Sequence, residues 1–209
     1  MKAPFIRTTR TQYHHGNLKE ALVEAARAIV AERGPEGLTL TEAAKLAGVT
    51  SAAPYRHFSD RQALLSELGR RGFLQFGAAL RQAFGTGTPD PASAMRRMGT
   101  AYLQFARTEP GLYRAMFSNL SGGAEIAEGQ DAFNSLVAAT QAVLASFPGN
   151  RVNSEQLALK IWALSHGIAL LTQYQLMPMP PGQSPESLLS EATEELFQAA
   201  LSRPRPAGA

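Results

Sequence analysis

The sequence predicts an all-α protein. Apolar residues recur at helical spacing along most of the chain, no stretch alternates apolar and polar residues for long enough to be a convincing strand, and Gly and Pro clusters separate the periodic segments. The chain has 209 residues, of which 44% are hydrophobic and 18% charged, so a packed core is within reach. We expect a three-helix unit with a helix-turn-helix, followed by a helical bundle.

The first helix begins near Leu18, and Asn17 is its expected N-cap. The segment "ERGPEG" closes it with Gly34 and Pro35. Its apolar residues fall on one stripe of an amphipathic helix, and these are Leu18, Leu22, Ala25, Ala26, Ile29 and Val30.

The next segment, "LTLTEAAKLAG", predicts a short helix that Thr39 or Thr41 caps and Gly48 ends. Glycine takes a positive φ at no steric cost, and Val49 then fills the angle before the following helix. These residues predict the turn of a helix-turn-helix.

The second short helix, from "TSAAPYRHF", contains a proline that its position explains. If Thr50 or Ser51 is the N-cap, Pro54 lies in the first turn, where its missing N–H removes no helical hydrogen bond. The first turn is then stiffened and presents a narrow tip, while Phe58 points back to the core. The tip and the polar side chains after it are Ser51, Ala52, Ala53, Tyr55, Arg56 and His57.

Asp60 is the expected cap of a longer helix that ends near Phe84, and the Gly- and Pro-rich segment 85–91 marks a domain seam. Helices are predicted over 92–108, after Pro110, over about 130–147, from a Ser154 cap to about Tyr174, and from Pro185. The expected divisions are 1–60, a connecting helix over 61–84, and 85–209.

The positive charge of the chain is concentrated at its amino-terminal end. Residues 1–61 hold nine Lys and Arg against six Asp and Glu, a balance of +3, and the rest of the chain is balanced. A polyanion such as a phosphate backbone would therefore be attracted to this end, although a chance excess of three charges is an equally good explanation of the charge alone.

The sequence offers no sign of catalysis or of a cofactor. It has no cysteine, no nucleophile–base pair and no carboxylate dyad, and the glycines of "SGGAEIAEG" follow no strand. His14 and His15 are adjacent, so they do not share a helix face as a metal-binding pair would. The amino terminus has no apolar signal region and "IWALSHGIALL" is too short to span a bilayer, so we expect a soluble cytoplasmic protein.

The segment "LTLTEAAKLAGVTSAAPYRHFSDRQALL", with "YHHGNLKEALVEAARAIVAERG" before it, resembles the DNA-binding signature of the tetracycline-repressor (TetR) family of bacterial regulators. This resemblance covers about residues 13–80. A weaker resemblance, at "IWALSHGIALL", is to the regulatory domain of a subgroup in which Trp, His and Gly recur in this helix.

The resemblance implies that the head of this protein contacts double-stranded DNA. Positions at the tip read bases, positions around it contact phosphates, and Arg61 matches a cationic phosphate clamp. Arg7 and Arg10 lie outside the motif, in an amino-terminal arm that could enter the minor groove. With two alanines at the tip, we expect thymine-methyl contact and DNA shape to contribute to specificity. The expected DNA-binding residues are Thr39, Thr41, Thr50, Ser51, Ala52, Ala53, Tyr55, Arg56, His57 and Arg61.

The helix from Ser154 is apolar nearly all round, so two of its sides must be buried, one of them against an identical partner. The family resemblance implies a four-helix interface made by the last two helices of each subunit. A two-fold dimer would place its recognition helices about 34 Å apart, or on a related spacing, and would read a palindromic operator. The predicted interface residues are Leu157, Ile161, Leu164, Ile168, Leu171, Leu188, Ala192, Leu196 and Ala199.

Aromatic residues and methionines are dense between the seam and these last helices, and they could line a pocket for a small apolar or aromatic effector. An ordinary helical core explains each residue equally well, and His166 is more often a satisfied core histidine. The helix over 60–84 would be the lever from pocket to head. A helical interaction module without DNA binding, and an activator without a ligand, remain alternatives to a ligand-released repressor. The candidate pocket residues are Tyr102, Phe105, Tyr113, Met116, Phe117, Phe133, Phe147, Trp162, His166, Tyr174 and Met177.

Overall fold

A computed structural model describes residues 18–118, 127–176 and 179–202, and within these ranges the chain forms helices and no strand, as predicted. Two short 3₁₀ turns cover Pro35–Gly37 and Ala53–Arg56. The helices are α1 Leu18–Arg33, α2 Leu40–Leu46, α3 Arg61–Phe84, α4 Pro91–Thr108, α5 Pro110–Ser118, α6 Ala127–Leu144, α7 Ser154–Gln173 and α8 Pro185–Leu201. None of the helices in the described ranges is long and apolar enough to cross a membrane.

Most helix starts follow the predicted capping chemistry. The side chains of Thr39 and Asp60 accept the backbone N–H three residues further on, at 3.0 and 2.8 Å, and Pro185 is the first residue of α8. The prediction that Ser154 caps α7 is wrong, because Asn153 makes this hydrogen bond and Ser154 is the first helical residue. The predicted cap Asn17 lies outside the described residues.

Helix α3 is the central element of the fold. It is 24 residues long, and its apolar side chains lie in one continuous cluster of buried residues that runs from α1 to α8. It packs against α1 at one end and against α4, α5 and α6 along the rest of its length. We call residues 18–60 the head and residues 85–202 the body; α3 belongs to the packing of both.

The head rests on the body where α1 crosses α5. A Cβ atom added to Gly111 would lie 2.3 Å from the carbonyl oxygen of Arg27, so the two backbones approach as closely as only glycine allows. The side chain of Arg27 pairs with Glu109 at 2.7 Å. Arg114 donates to the carbonyl of Ala31 at 2.9 Å, which satisfies an otherwise unpaired acceptor at the carboxyl end of α1. We call these contacts the α1–α5 joint.

An ion-pair network joins α1, α3 and α6 beside this joint. Glu67 pairs with Arg70 at 2.9 Å and with Arg71 at 3.0 Å, Arg71 also binds Glu20 of α1, and Arg70 reaches Glu128 of α6 at 3.4 Å. The hydrogen bonds from Arg70 and Arg71 lower the pKa of Glu67 to about 2 against the opposing effect of burial. The network therefore keeps the Glu67 carboxylate ionised at neutral pH.

Candidate functional site

The turn after α2 adopts the predicted geometry. Gly48 has a φ of 72°, in the left-handed region that favours glycine. Its N–H donates to the carbonyl of Lys45 at 3.2 Å, and the N–H of Val49 donates to the carbonyl of Ala44 at 3.0 Å. These two bonds form a Schellman motif, which ends α2 and turns the chain sharply towards the next element.

The second element of the helix-turn-helix differs from the prediction. It is a single 3₁₀ turn over Ala53–Arg56 preceded by Ala52, and neither Thr50 nor Ser51 provides a side-chain cap. Thr50 contributes through its backbone carbonyl, which accepts the N–H of Ala53 at 3.0 Å. The bond joins residues three apart, which is the 3₁₀ pattern, so the backbone carbonyl of Thr50 begins this short turn without a side-chain cap.

Pro54 and Phe58 anchor this turn to the head. Pro54 is buried in the first turn of the element, as predicted, and its carbonyl accepts the N–H groups of His57 and Phe58 at 2.9 and 3.0 Å. The Phe58 side chain is 4% exposed and packs into the core. The turn is therefore held from beneath, which leaves its outer surface free.

The predicted reading surface is exposed. Ala53 is partly buried, and Tyr55 is 62% exposed. Arg7, Arg10, His14 and His15 lie outside the described residues. The exposed members of the predicted set are Thr39, Thr41, Thr50, Ser51, Ala52, Tyr55, Arg56 and His57.

Two exposed cations flank this surface without a carboxylate partner. Arg27 and Arg33 of α1 pair with glutamates, whereas Lys45 and Arg56 form no ion pair with any residue that the structure describes. Lys45 was not among the predicted DNA-binding residues. Its position in the last turn of α2, three residues before the turn at Gly48, is the sequence feature that indicates a cation close to the tip.

Arg61 uses part of its guanidinium inside the protein. Its Nε donates to the carbonyl of Leu38 at 2.9 Å and its Nη2 to the carbonyl of Pro35 at 2.7 Å, with Glu36 at 3.7 Å. These bonds tie the segment before α2 to the first residue of α3. Arg61 therefore positions the helix-turn-helix through two of its five N–H donors, and its predicted contact with phosphate stays a prediction.

A cavity of about 340 Å³ lies in the body between α4, α6, α7 and α8. Its walls are mainly apolar, and the uncharged polar side chains that also line it are Thr100, Tyr102, Ser165, Ser190, Thr193 and Gln198. The charged lining residues are Arg96, Glu186 and Glu194. The apolar lining includes Leu80, Met95, Met98, Leu136, Val143, Phe147, Ile161, Leu189, Phe197 and Leu201.

The predicted pocket lining needs correction, because only Tyr102 and Phe147 of the candidates line this cavity. Most of the others fill the neighbouring core by packing edge to face: Trp162 contacts Phe133 and Tyr102, each at 5.8 Å between ring centroids. Tyr174 is 52% exposed and stacks on the Arg114 guanidinium, and Met177 lies outside the described residues. The candidates absent from the cavity wall are Phe105, Tyr113, Met116, Phe117, Phe133, Trp162, His166 and Tyr174.

Three polar side chains form a hydrogen-bonded cluster inside this aromatic core. The Tyr113 hydroxyl lies 2.8 Å from His166 Nδ1, and the Tyr102 hydroxyl is 3.3 Å from that of Tyr113. Burial raises the pKa of Tyr113 and lowers the pKa of His166, so both favour their neutral forms, and the imidazole tautomer decides which of them donates in this hydrogen bond. His166 is thus a satisfied histidine.

The predicted interface on α7 also needs correction. Leu157, Ile161 and Ile168 are 3%, 4% and 6% exposed, so they belong to the core of their own chain and are not available to a partner. Leu164 is partly buried and Leu171 is 42% exposed. Because α7 is apolar nearly all round, hydrophobicity alone does not indicate which stripe faces outwards.

The outward stripe of α7 contains Leu159, Ala163, Gly167 and Leu171, one helical turn apart. Leu159 is 58% exposed, and a Cβ added to Gly167 would meet nothing within 4 Å. We call these residues the α7 face. On α8, Leu189, Thr193 and Phe197 point into the body, and the predicted Leu188, Ala192, Leu196 and Ala199 are less buried and lie outside the cavity wall.

Comparison with known proteins places both parts of the chain. Residues 22–68 match the family described as bacterial regulatory proteins, tetR family, and residues 95–199, about half of the chain, match a tetracyclin repressor-like C-terminal domain. The chain belongs to the tetR family. Members of this family are regulators that bind DNA as dimers, in agreement with the predicted class; the finer Trp-His-Gly subgroup stays a prediction.

Individual tetR-family relatives agree with this placement. The HTH-type transcriptional repressor BepR of Brucella suis biovar 1 (strain 1330) is 36% identical over 101 residues, 48% of each chain, so the match spans about half the length of this curated relative. A protein of unknown function from Rhodococcus sp. RHA1 has 28% identity and a TM-score of 0.77, covering 92% of this chain and all of that one. The TetR-family regulator PfmR from Thermus thermophilus shares the fold, with 17% identity and a TM-score of 0.66 over 85% of this chain and 97% of that one.

Proposed function

We propose that this protein is a homodimeric, sequence-specific transcriptional repressor that binds a palindromic operator and is released from it by a small molecule. The observation that carries the DNA-binding part is the exposed tip over residues 51–57, held from beneath by Pro54 and Phe58. Lys45 and Arg56, which form no ion pair within the described ranges, supply its positive charge. In the proposed division, residues 1–60 bind DNA, α3 connects, and residues 85–209 regulate and dimerise.

The tip divides into base-reading and phosphate-contacting positions. Ser51, Ala52 and Ala53 are small enough to enter the major groove, and the alanine methyl groups suit contact with thymine. Lys45 and Arg56 carry the positive charge that phosphates attract, and the exposed hydroxyl of Tyr55 adds a neutral phosphate donor. Few hydrogen bonds to bases are available here, so DNA shape contributes to specificity.

Dimerisation through α7 and α8 would pair the two tips. The α7 face and the outer residues of α8 supply apolar and small side chains, which suit close helix packing. A two-fold axis between them places identical tips on one side of the dimer, and a spacing of about 34 Å would match successive major grooves.

The cavity between α4 and α8 is the proposed effector site. It adjoins α3 at Leu80, and α3 begins at the base of the helix-turn-helix, so a change in packing at the cavity can move the head. An effector must bind more tightly to the conformation with one spacing of the two tips. A ligand with equal affinity for both conformations would leave the equilibrium between them unchanged.

Repression, rather than activation, is favoured by the name of BepR, the repressor that this chain resembles over about half of its length. An activator would use the same head, and transcription from an operator-bearing promoter distinguishes the two. An interaction module without DNA binding would show no salt-dependent affinity for duplex DNA.

Selection of binding sites from a random duplex pool tests the proposal. We expect the full-length protein to enrich an inverted repeat, and Ser51→Ala to change the enriched sequence at symmetric positions. Ser135→Ala, on α6 and far from the tip, is the matched control and should leave it unchanged. Enrichment of no sequence, or of one without symmetry, would contradict the proposal, and a uniform loss of affinity in Ser51→Ala would contradict its base-reading role.

A further inference from the structure

The cavity contains a hydroxyl group without a hydrogen-bond partner. Thr193 of α8 is 9% exposed and lines the cavity, and its hydroxyl makes no hydrogen bond to any residue in the described ranges. Ser190, one turn earlier on the same helix, also lines the cavity and is likewise without a partner there.

This arrangement differs from other helical hydroxyls of the protein. Thr100, Thr140 and Ser165 each donate to the backbone carbonyl four residues before them, at 3.2, 2.8 and 2.8 Å. That bond is the usual way for a buried Ser or Thr to satisfy its hydrogen in a helix. The Thr193 hydroxyl makes no such bond within the described ranges and keeps surface accessible to the cavity, so it is free to hydrogen-bond a molecule bound there.

The charges around the cavity argue against an ionised ligand. Arg96 pairs with Glu194 at 3.0 Å, and Glu186 pairs with Arg107 at 3.0 Å, so each charged group near the opening is already neutralised. The remaining lining residues have apolar side chains, hydroxyls or, at Gln198, an uncharged carboxamide. An ionised head group would lose its hydration there and find no free counter-ion.

We infer that the cavity binds an uncharged, mainly apolar molecule through a polar oxygen or N–H group that hydrogen-bonds the Thr193 hydroxyl, with Ser190 as a second contact. Alcohols, phenols, ketones and esters of modest size have this chemistry. The inference rests on the proposed effector site and specifies its ligand class. Thr193 determines specificity in it, because a matching hydrocarbon fills the walls equally well and lacks the hydrogen bond.

Three probes with the same aromatic body separate these contributions: naphthalene, 2-naphthol and 2-naphthoate. Calorimetric titration of the full-length protein should show that 2-naphthol, which is neutral at pH 7, binds about three- to ten-fold more tightly than naphthalene, the range expected for one net hydrogen bond. The 2-naphthoate anion should bind most weakly.

Substitution of Thr193 supplies the decisive comparison. Thr193→Val should abolish the preference for 2-naphthol over naphthalene and leave the affinity for naphthalene intact, and Thr193→Ser should retain the preference. Thr140→Val is the matched control, because Thr140 is buried, bonded to Leu136 and outside the cavity wall. If Thr193→Val does not fold, Thr193→Ala gives the same readout.

An unchanged preference in Thr193→Val, tightest binding of 2-naphthoate, or no binding of any of the three probes would overturn the inference. None of these measurements involves DNA. A protein that binds 2-naphthol through Thr193 and fails to bind duplex DNA would refute the proposed function alone, and one that binds an operator without this preference would refute the inference alone.

Discussion

Gly111→Ala tests the α1–α5 joint, through which the head rests on the body. The new Cβ would lie 2.3 Å from the carbonyl oxygen of Arg27, whereas real Cβ atoms keep at least 3.0 Å, so the two backbones must separate by about 0.7 Å, the difference between these distances. That separation also stretches the Arg27–Glu109 pair and the bond from Arg114 to Ala31.

Overpacking of this kind costs roughly 1–3 kcal/mol, and the better helix propensity of alanine returns at most about 1 kcal/mol. We therefore expect Gly111→Ala to lower the free energy of unfolding by about 1–2 kcal/mol, which is a fall in Tm of roughly 2–8 °C for a chain of this length. Urea unfolding followed by the fluorescence of Trp162, the single tryptophan, measures the change at a fixed protein concentration.

Gly77→Ala is the matched control, since it makes the same substitution in the interior of α3. Its Cβ would meet the flexible end of Arg81 at 3.1 Å and Ala132 at 3.5 Å, so we expect a stability equal to that of the wild type or higher by up to about 1 kcal/mol. If Gly111→Ala were as stable as Gly77→Ala, the close approach of α1 and α5 would be refuted.

Three further predictions concern charge and assembly. Lys45→Gln should weaken binding to operator and random DNA alike and reduce the slope of log K against log salt by about 1.8, because a dimer loses two phosphate contacts. Arg61→Gln, which removes the two hydrogen bonds to the carbonyls of Leu38 and Pro35, should lower the urea midpoint and leave that slope nearly unchanged. Folding lowers the pKa of Glu67 to about 2, so the stabilisation from its ionised carboxylate is complete above about pH 4.3 and is lost as the pH falls towards 2. The urea midpoint of Glu67→Gln should therefore depend less on pH across this window than the midpoint of the wild type, and equal pH dependence of the two proteins would contradict the ion-pair network. Gly167→Arg should yield monomers in sedimentation velocity while Ala138→Arg on α6 remains dimeric, and a dimeric Gly167→Arg would exclude the α7 face as the interface.

Local capping chemistry was predictable from the sequence. Thr39, Gly48 and Asp60 have short-range roles that depend on backbone geometry within a few residues, and each occupies the expected position. The place of Pro54 was predictable for the same reason, since a proline is compatible with few positions in a short helix. The all-α class and the tetR family followed from these local signals together.

The direction in which a side chain points was less predictable. Both stripes of α7 are apolar, so the pattern alone could not show that Ile161 faces the core and Leu159 faces outwards. Arg61 looked like a free cation because the carbonyls that hold it come from residues more than twenty positions earlier.

The location of the cavity could not be predicted from the density of aromatic residues. Large rings such as Phe76 and Trp162 pack edge to face and fill their space, whereas the cavity opens where smaller or flexible side chains of α4 and α8 meet. The available sequence signal was that Thr193 lies one helical turn from Leu189 and from Phe197, on the apolar stripe of α8.

Hydroxyl-radical footprinting of the full-length protein on its selected operator tests most directly whether two identical tips meet one face of the duplex. We expect two protected stretches, related by a two-fold axis and centred about one helical turn, or about 10 base pairs, apart or on a related spacing. A single protected stretch, or protection that does not depend on the sequence of the duplex, would contradict the symmetric presentation of residues 51–57 to DNA.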